Sequence, residues 1–364
     1  MAHVDRKALG LSLAPSAQKS IEATKVDYVH LGSSGLRVSW PILGAMTLGA
    51  PKAASFVLDE DTSLDVLKAA YDMGINTWDT ANSYSNGLSE QVIGKALNKF
   101  NIPRQKVVIM TKICFHVGEE PDVIGVVWAD ELNQSKDYVN QGGLSRTAIL
   151  SAVDASLARL NTTYIDVLQI HRPDPHTPPE ETMRTLHELV QSGKVRYLGA
   201  SSMWATQFAS LQFLAERNGW TKFVSMQNYY NLCYREEERE MLRFCRETGV
   251  GVVPWSPLFG GRLARPVGYD KSARSKMRNA HHPTLTDVDE EIIGRVEQLA
   301  KEKGWSMSCV ALAWHKSKGT VPIVGLNSVE RVREMGELKG KVLSGEELRF
   351  LEELYVAREV AGHV

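Results

Sequence analysis

The stretch Tyr164-Ile-Asp-Val-Leu-Gln-Ile-His171 is a short, mostly apolar run that ends on an imidazole. Comparable runs begin at Arg196, Phe223 and Val250, and their spacing is close to the roughly 30 residues that a βαβ unit needs. The segments between them carry helix-start and helix-stop residues, as in residues 178–192, which end before a glycine. The stretch therefore belongs to a series of strand–helix units, which is typical of a parallel sheet.

The same pattern continues in both directions along the chain. Helices are predicted at residues 59–73, 178–192 and 235–248, each followed by a glycine and then by a strand. Since no linker interrupts the series, we expect an α/β fold, a single (β/α)8 TIM barrel over residues 26–364 that follows a flexible leader at residues 1–25. The eight strand candidates begin at Val38, Ile75, Lys106, Tyr164, Arg196, Phe223, Val250 and Val321.

An open, doubly wound sheet is the competing α/β fold. Its dinucleotide-binding form carries a GxGxxG motif directly after a strand, where glycines let the backbone approach the phosphates. No strand candidate is followed by that motif. The barrel is therefore favoured, and any dinucleotide must bind in another way.

Composition and charge limit the classes of function that the chain can have. With 43% hydrophobic and 23% charged residues, the 364-residue chain is typical of a globular protein, and its net charge of −1 gives no general attraction for nucleic acid or an anionic membrane surface. No apolar run approaches the roughly 18 residues of a membrane span. The four cysteines are widely spaced and form no CxxC pair, which fits a reducing cytoplasm.

Two predicted loops are too long to be simple connectors. Residues 114–143 follow the third strand, and residues 259–284 follow the seventh. Both leave the carboxyl ends of strands, which form the active-site face of such a barrel. We expect them to wall a substrate pocket and to clasp a cofactor, although disordered insertions are the alternative.

Ionisable residues collect at the predicted strand ends. Asp79, Lys112 and His171 each close an apolar strand, and Tyr84 lies five residues beyond Asp79. In a barrel these four side chains are directed at the centre of the open rim. Each of them alone is equally compatible with a solvated rim or a structural turn.

Together, a phenol, an ammonium, a carboxylate and an imidazole suit the reduction of a carbonyl group. A tyrosine phenol has an ordinary pKa of about 10, so a nearby cation is needed to favour the phenolate left after proton donation. Lys112 suits that role, with Asp79 holding it charged, and a neutral His171 can orient the carbonyl oxygen. The four residues therefore predict proton delivery to a carbonyl.

Several segments resemble the signature segments of the aldo-keto reductases. They are Trp78-Asp-Thr-Ala-Asn-Ser-Tyr-Ser85 with Gly87 and Ser89-Glu90, Thr111-Lys112, Leu168-Gln-Ile-His-Arg172, Gly199-Ala-Ser-Ser202, Gln227-Asn-Tyr-Tyr-Asn231, Pro254-Trp-Ser-Pro-Leu258 and Gly325-Leu-Asn-Ser-Val-Glu-Arg331. The resemblance runs through the chain from about Val26. The chain resembles the branch of this family that includes fungal aryl-alcohol dehydrogenase-like enzymes.

The resemblance implies a barrel that binds NADP(H) in extended form, with a catalytic tetrad at Asp79, Tyr84, Lys112 and His171. Many relatives have Ser-Asn where this chain has Ser201-Ser202, which puts the second contact in doubt. The cofactor-binding positions that it implies are Thr47, Asp79, Ser201, Ser202, Gln227, Trp255, Ser256, Pro257, Leu258, Gly260, Arg262, Gly325, Ser328, Arg331 and Glu334.

A phosphate site is predicted at the last of these segments. Asn327 or Ser328 can cap a helix whose free N–H groups favour an anion, and Arg331 one turn in can pair with a 2′-phosphate. The lysine that the family often has upstream is missing from Val321-Pro-Ile-Val-Gly325. A basic loop after the seventh strand can compensate, and Arg262 is the best placed of its cations, which are Arg262, Arg265, Lys271, Arg274, Lys276 and Arg278.

A metal site is not expected. His281-His282 and the pair His171 and His176 lack the HxH or HExxH spacing that puts two imidazoles on one face with an acidic third ligand.

We therefore expect an NADP(H)-dependent oxidoreductase whose partner is a small-molecule carbonyl or alcohol substrate. Two alternatives stay open: a cofactor-sensing subunit like the potassium-channel β-subunits, and a dedicated tailoring reductase of secondary metabolism. In the second case the loop at residues 114–143 would shape the pocket. Its candidate wall residues are Phe115, His116, Val126, Val127, Trp128 and Tyr138.

Overall fold

The computed structural model describes residues 12–52, 54–120, 123–269 and 285–363. It confirms the α/β barrel. Eight parallel strands are joined in the order in which they follow one another along the chain, with the last strand beside the first. They are β3 (Ile42–Gly44), β4 (Thr77–Asp79), β5 (Val108–Ile113), β6 (Ile165–Ile170), β7 (Val195–Ser201), β8 (Phe223–Gln227), β9 (Gly251–Val252) and β10 (Ile323–Gly325).

Two backbone hydrogen bonds close the ring between β9 and β10. Val321 N donates to Val252 O over 2.9 Å, and Ile323 N donates to Pro254 O over 2.9 Å. All carboxyl ends of the strands therefore meet at one rim, where the sequence places the chemistry.

A hairpin covers the opposite end of the barrel. Its strands β1 (Asp27–His30) and β2 (Arg37–Trp40) pair in antiparallel register. Trp40 Nε1 donates to Thr320 O, just before β10, and Ser33 N donates to Gly249 O, just before β9. The strand predicted from Val38 is thus a hairpin strand, and the first barrel strand begins after Pro41.

Helices surround the barrel. α2 begins where Asp59 accepts a hydrogen bond from Thr62 N, and it and α6 agree closely with the predicted helices. The helices are α1 (Pro15–Ala23), α2 (Glu60–Asp72), α3 (Leu88–Lys99), α4 (Ala129–Leu132), α5 (Arg146–Leu160), α6 (Pro179–Gln191), α7 (Ala205–Asn218), α8 (Met241–Thr248), α9 (Asp287–Lys303), α10 (Met307–Ser317), α11 (Val329–Met335) and α12 (Gly345–Glu352).

Two predicted segments differ from the structure. The helix expected from Arg235 begins at Met241, because Glu236–Glu238 form a separate 3-10 turn whose carboxylates bind partners elsewhere in the fold. Part of the predicted leader is helical, since α1 lies there with none of its residues buried.

Two apolar cores hold the molecule together. The larger fills the barrel and the layer beneath its helices. The smaller includes Tyr229, Tyr234 and Phe259, and it lies among α9, α10 and α12 beside the strand ends β8 and β9. The smaller core therefore backs the rim of the barrel. No helix within the described part of the chain is long and apolar enough to cross a bilayer.

Candidate active site

Four chemically active side chains reach the rim from three neighbouring strands. Asp79 ends β4, Lys112 is the penultimate residue of β5, and His171 directly follows β6. Tyr84 opens the 3-10 turn Tyr84–Gly87 between β4 and α3. Because the three strands are parallel neighbours, their ends bring these residues together.

Lys112 is fully buried and makes three hydrogen bonds. Its Nζ donates to Asp79 Oδ2 over 2.6 Å, to Thr80 O over 2.9 Å and to the hydroxyl of Tyr84 over 3.2 Å. Burial alone would lower the pKa of Lys112, but the adjacent Asp79 and Tyr84 hold it above its ordinary value. The side chain is therefore an ammonium that faces the phenol.

The second oxygen of Asp79 is held by two amides. Gln169 Nε2 and Gln227 Nε2 donate to Oδ1 over 2.9 and 3.0 Å, and Gln227 also donates to Gln169 Oε1 over 2.9 Å. Gln169 is not among the predicted site residues. The sequence feature that could have identified it is a glutamine within the mostly apolar strand β6. A buried amide needs hydrogen-bond partners, so such a residue indicates a polar contact inside the barrel.

His171 stands beside the phenol with its ring between two aromatic neighbours. The ring centroids of Phe115 and Tyr84 lie 4.9 and 5.9 Å away, and Nδ1 has no partner among the described atoms. Burial, with the nearby charges of Lys112 and Arg172, lowers the pKa of His171 well below its usual range. The imidazole is therefore neutral near pH 7.

A cavity of about 940 Å³ opens over this group. Asp79, Tyr84 and His171 line it, while Lys112 lies beneath its floor. Of the cofactor-binding positions expected from the sequence, most also line it: Thr47, Asp79, Ser201, Gln227, Trp255, Ser256, Pro257, Leu258, Gly260, Gly325, Arg331 and Glu334.

Three expected cofactor positions lie outside the cavity wall. Ser202 is buried behind Trp255, whose Nε1 donates to Ser202 Oγ over 3.1 Å. Ser328 caps α11 by accepting from Arg331 N over 3.3 Å. The guanidinium of Arg262 lies 4.9 Å from the ring centroid of Phe259.

Two arginines meet at the end of the cavity formed by α11. Burial and the charge of Arg265 both lower the pKa of Arg331, and both side chains line the cavity. The ion pairs between described residues include neither of them. Arg265, rather than Arg262, therefore brings a second cation to this end. The other cations of the basic loop lie at residues 271–278, outside the described residues.

Further polar groups of this end were not predicted. Ser306 and Ser308 line the cavity at the start of α10, and Ser306 Oγ donates to Glu334 Oε1 over 2.5 Å. No motif marked these serines, because they reach the cavity only through the packing of α10 beside the barrel.

The loop at residues 114–143 contributes a different wall from the expected one. Phe115 and Val126 line the cavity, and Val123 and Ile124 join them. Four expected wall residues lie elsewhere. His116 is buried within the loop, Val127 and Trp128 are exposed, and the Tyr138 hydroxyl accepts a hydrogen bond from Glu119 N.

No metal centre is found in the described ranges, where no three His, Cys, Asp or Glu side chains are grouped to hold an ion. His281 and His282 lie outside those ranges.

The barrel fold and the four side chains at its rim together define an oxidoreductase that acts on carbonyl compounds. The sequence matches the model of the aldo/keto reductase family over residues 42–356, and the chain belongs to that family.

Curated relatives agree with this assignment. Aldo-keto reductase dtxS3 of Metarhizium robertsii is 55% identical, with 100% of both chains covered. Versiconal hemiacetal acetate reductase of Aspergillus parasiticus is 49% identical over 92% of this chain and 98% of its own. A Schizosaccharomyces pombe protein, C977.14c, whose name assigns it provisionally to the aryl-alcohol dehydrogenases, is 46% identical over 93% and 98%. The predicted resemblance is confirmed.

Proposed function

We propose that this protein is an NADP(H)-dependent reductase of aldehydes or ketones in which Tyr84 donates the proton to the carbonyl oxygen. The observation that carries the proposal is the 3.2 Å hydrogen bond from the buried Lys112 ammonium to the Tyr84 hydroxyl. A cation at that distance stabilises the phenolate that proton donation leaves behind.

The cavity fits a nicotinamide dinucleotide. Near the tetrad it offers the indole of Trp255 and the buried Thr47 Oγ1, which has no partner among the described residues. At the other end it offers the two guanidiniums of Arg265 and Arg331. The indole suits stacking on the nicotinamide ring, and the unpartnered hydroxyl suits its carboxamide. The two guanidiniums suit the phosphates of the cofactor.

A reduced nicotinamide cofactor held there would supply the hydride for the carbonyl carbon. Tyr84 transfers its hydroxyl proton to the carbonyl oxygen, and the resulting phenolate lies beside Lys112 until solvent reprotonates it. His171, a neutral imidazole in the cavity wall, orients the carbonyl oxygen by hydrogen bonding. The reverse sequence oxidises an alcohol.

Arg331 and Arg265 support NADP over NAD. The 2′-phosphate that distinguishes the two cofactors is a dianion at neutral pH, and two neighbouring guanidiniums that form no ion pair within the described ranges suit it. Arg265 takes the role of the lysine that is missing from residues 321–325.

A bulky or aromatic carbonyl compound is the proposed substrate class. Phe115, Val123, Ile124 and Val126 form an apolar wall on the side of His171. The relatives named for reduction of versiconal hemiacetal acetate and for aryl-alcohol oxidation support such a substrate and, in the first case, a tailoring role. The four cysteines are free thiols, which supports a reducing cytoplasm as its location.

Replacing Tyr84 by phenylalanine tests the proposal. We expect kcat with a panel of aromatic aldehydes to fall by about 100- to 10,000-fold, because proton donation is lost, while NADPH binding is kept. Tyr164→Phe is the matched control, since this phenol lies at the far end of β6 between two arginines. Turnover by Tyr84→Phe equal to that of the control would contradict the proposal.

A further inference from the structure

Trp255 is the end of a stack of three aromatic rings. Its indole stacks on Tyr229 at a centroid distance of 4.5 Å and an interplanar angle of 16°, and Tyr229 stacks on Tyr234 at 4.5 Å and 22°. Both tyrosines are buried, whereas Trp255 lines the cavity. The orientation of the cavity-facing ring is therefore set from behind.

The carboxyl-terminal tail, residues 355–363, reaches this stack at two points. Ala361 N donates to the Tyr234 hydroxyl over 2.8 Å. Gly362 lies against the edge of Trp255, since a Cβ added there would be 3.1 Å from Cζ2 of the indole. Its φ of +86° also favours glycine. The tail thus fills the space into which the indole would otherwise turn.

A chain of buried polar contacts, one ion-pair contact followed by three hydrogen bonds, links the same tail to the back of the indole. His363 Nε2 lies 2.8 Å from Glu237 Oε1, and Glu237 accepts from Asn228 Nδ2 through its other oxygen. Asn228 Oδ1 accepts from Ser202 N over 2.8 Å, and Ser202 Oγ accepts from Trp255 Nε1 over 3.1 Å. The path from the tail to the indole is continuous.

Two members of this chain need external support. Ser202 has a φ of +49°, an unfavourable conformation for a residue with a side chain. Glu237 is 2% exposed, and a buried carboxylate requires partners. The imidazole of His363 lies within ion-pair distance of this carboxylate, and its ring also packs edge-to-face against Trp204 with centroids 4.9 Å apart.

The tail is anchored independently of the cavity. Arg358 pairs with the buried Asp289 over 2.8 Å, and its backbone N–H donates to Glu236 Oε1 over 2.9 Å. The hydroxyl of Tyr355 donates to the same oxygen over 2.7 Å. A change at residue 362 or 363 therefore leaves these anchors in place.

We propose that Gly362 and His363 are positioning residues that fix the indole of Trp255, and through it the nicotinamide ring of the cofactor. This rests on the proposed function, in which Trp255 stacks on that ring. The tail acts from behind: His363 holds Ser202 through Glu237 and Asn228, and Gly362 blocks rotation of the indole. Neither residue lines the cavity.

A double-mutant cycle on the full-length chain tests the coupling. We would measure the NADPH dissociation constant by fluorescence titration for the wild type, His363→Ala, Trp255→Phe and the double variant. His363→Ala should raise the constant about fivefold when Trp255 is present, but by less than about twofold in the Trp255→Phe background. Gly362→Ala should show the same dependence, because phenylalanine lacks the atom that the new methyl group would meet.

Glu359→Ala, an exposed change in the same tail, is the control and should leave binding unaltered. If His363 had only a general structural role, His363→Ala would raise the NADPH dissociation constant equally in the wild-type and Trp255→Phe backgrounds. That result would overturn the proposal, and so would an equal loss of NADPH binding in Glu359→Ala. A wild type that fails to bind NADPH removes the proposed function and this proposal together. A wild type that binds and reduces normally, without coupling between His363 and Trp255, removes the positioning role alone.

Discussion

Lys112 lies at the hydroxyl end of Tyr84, with its Nζ 3.2 Å from the hydroxyl oxygen and 4.8 Å from the ring centroid. The ammonium reaches this position because Asp79 and the carbonyl of Thr80 hold its other protons. Asp79 is itself fixed by two glutamine amides. The rim therefore holds one positive charge where a developing phenolate needs it.

Lys112→Met should abolish most turnover. The variant keeps the length of the side chain but removes the charge, so kcat should fall by about 100- to 10,000-fold. It also leaves Asp79 buried without a cation, which should lower the free energy of unfolding by about 3–5 kcal/mol. Steady-state kinetics and urea unfolding measure the two effects.

The double variant Asp79→Asn/Lys112→Met separates the effect on turnover from the effect on stability. Removing both charges should recover most of the lost stability, because no unpaired carboxylate remains, but it should recover no activity. Activity within tenfold of the wild type in either variant would show that the ammonium is dispensable.

Arg331→Ala and Arg265→Ala should each weaken NADPH binding by about 10- to 100-fold and change NADH binding little, since each removes a charge-assisted contact with the 2′-phosphate. Arg262→Ala is the matched control, because this guanidinium lies over the ring of Phe259 and outside the cavity wall. Dissociation constants for both cofactors provide the measurement. Equal losses for NADPH and NADH would refute the phosphate assignment.

The order of the barrel strands followed from sequence periodicity, but the first strand did not. Arg37–Trp40 and Ile42–Gly44 are separated only by Pro41, so they read as one apolar run. Their assignment to a hairpin and to the barrel depends on long-range partners such as Thr320. Local pattern carries no information on that choice.

The tetrad could be predicted because each of its residues ends an apolar strand or follows one closely. Arg265 and the tail residues Gly362 and His363 could not be singled out, because their places depend on how distant segments pack against the rim. Gln169 could be predicted in part. A polar residue in a buried strand indicates a hydrogen-bonded amide, but the sequence does not show that its partner is Asp79.

His315 should make the stability depend on pH. The ring is fully buried between Thr320 and Pro257, and burial lowers its pKa to about 3. Below about pH 6.5 the unfolded chain binds a proton that the folded chain excludes, so stability is lost as the pH falls from about 6.5 toward about 3, by at most ~1.4 kcal/mol per pH unit. His171 acts in the same direction.

Urea unfolding of the wild type and of His315→Gln across this pH range measures the contribution. The variant cannot take up the proton in either state, so its unfolding free energy should fall less steeply with acid. Identical slopes for the two proteins would exclude the buried imidazole as a cause.

Asn86→Ala should raise KM for bulky carbonyl substrates. Asn86 Nδ2 donates to Glu120 O and Val123 O over 3.0 and 2.9 Å, and its Oδ1 accepts from Gly118 N over 3.1 Å. These bonds tie the apolar wall to the turn that carries Tyr84. Without them the wall loosens while the tetrad stays intact, so KM should rise by about tenfold and kcat by far less.

Asn101→Ala is the control for backbone strain. Asn86 and Asn101 have φ values of +51° and +50°, so alanine is equally unfavourable at both, at a cost of about 1–2 kcal/mol. Asn101 follows α3 at an exposed position, and it is not among the residues that line the cavity. Both variants should therefore lose the stability that this strain costs, and Asn86→Ala should lose more because its three hydrogen bonds go as well, but only Asn86→Ala should change KM. A parallel rise of KM in the control would trace the effect to strain in the fold, and the tie between the wall and the Tyr84 turn would then have no role in substrate binding.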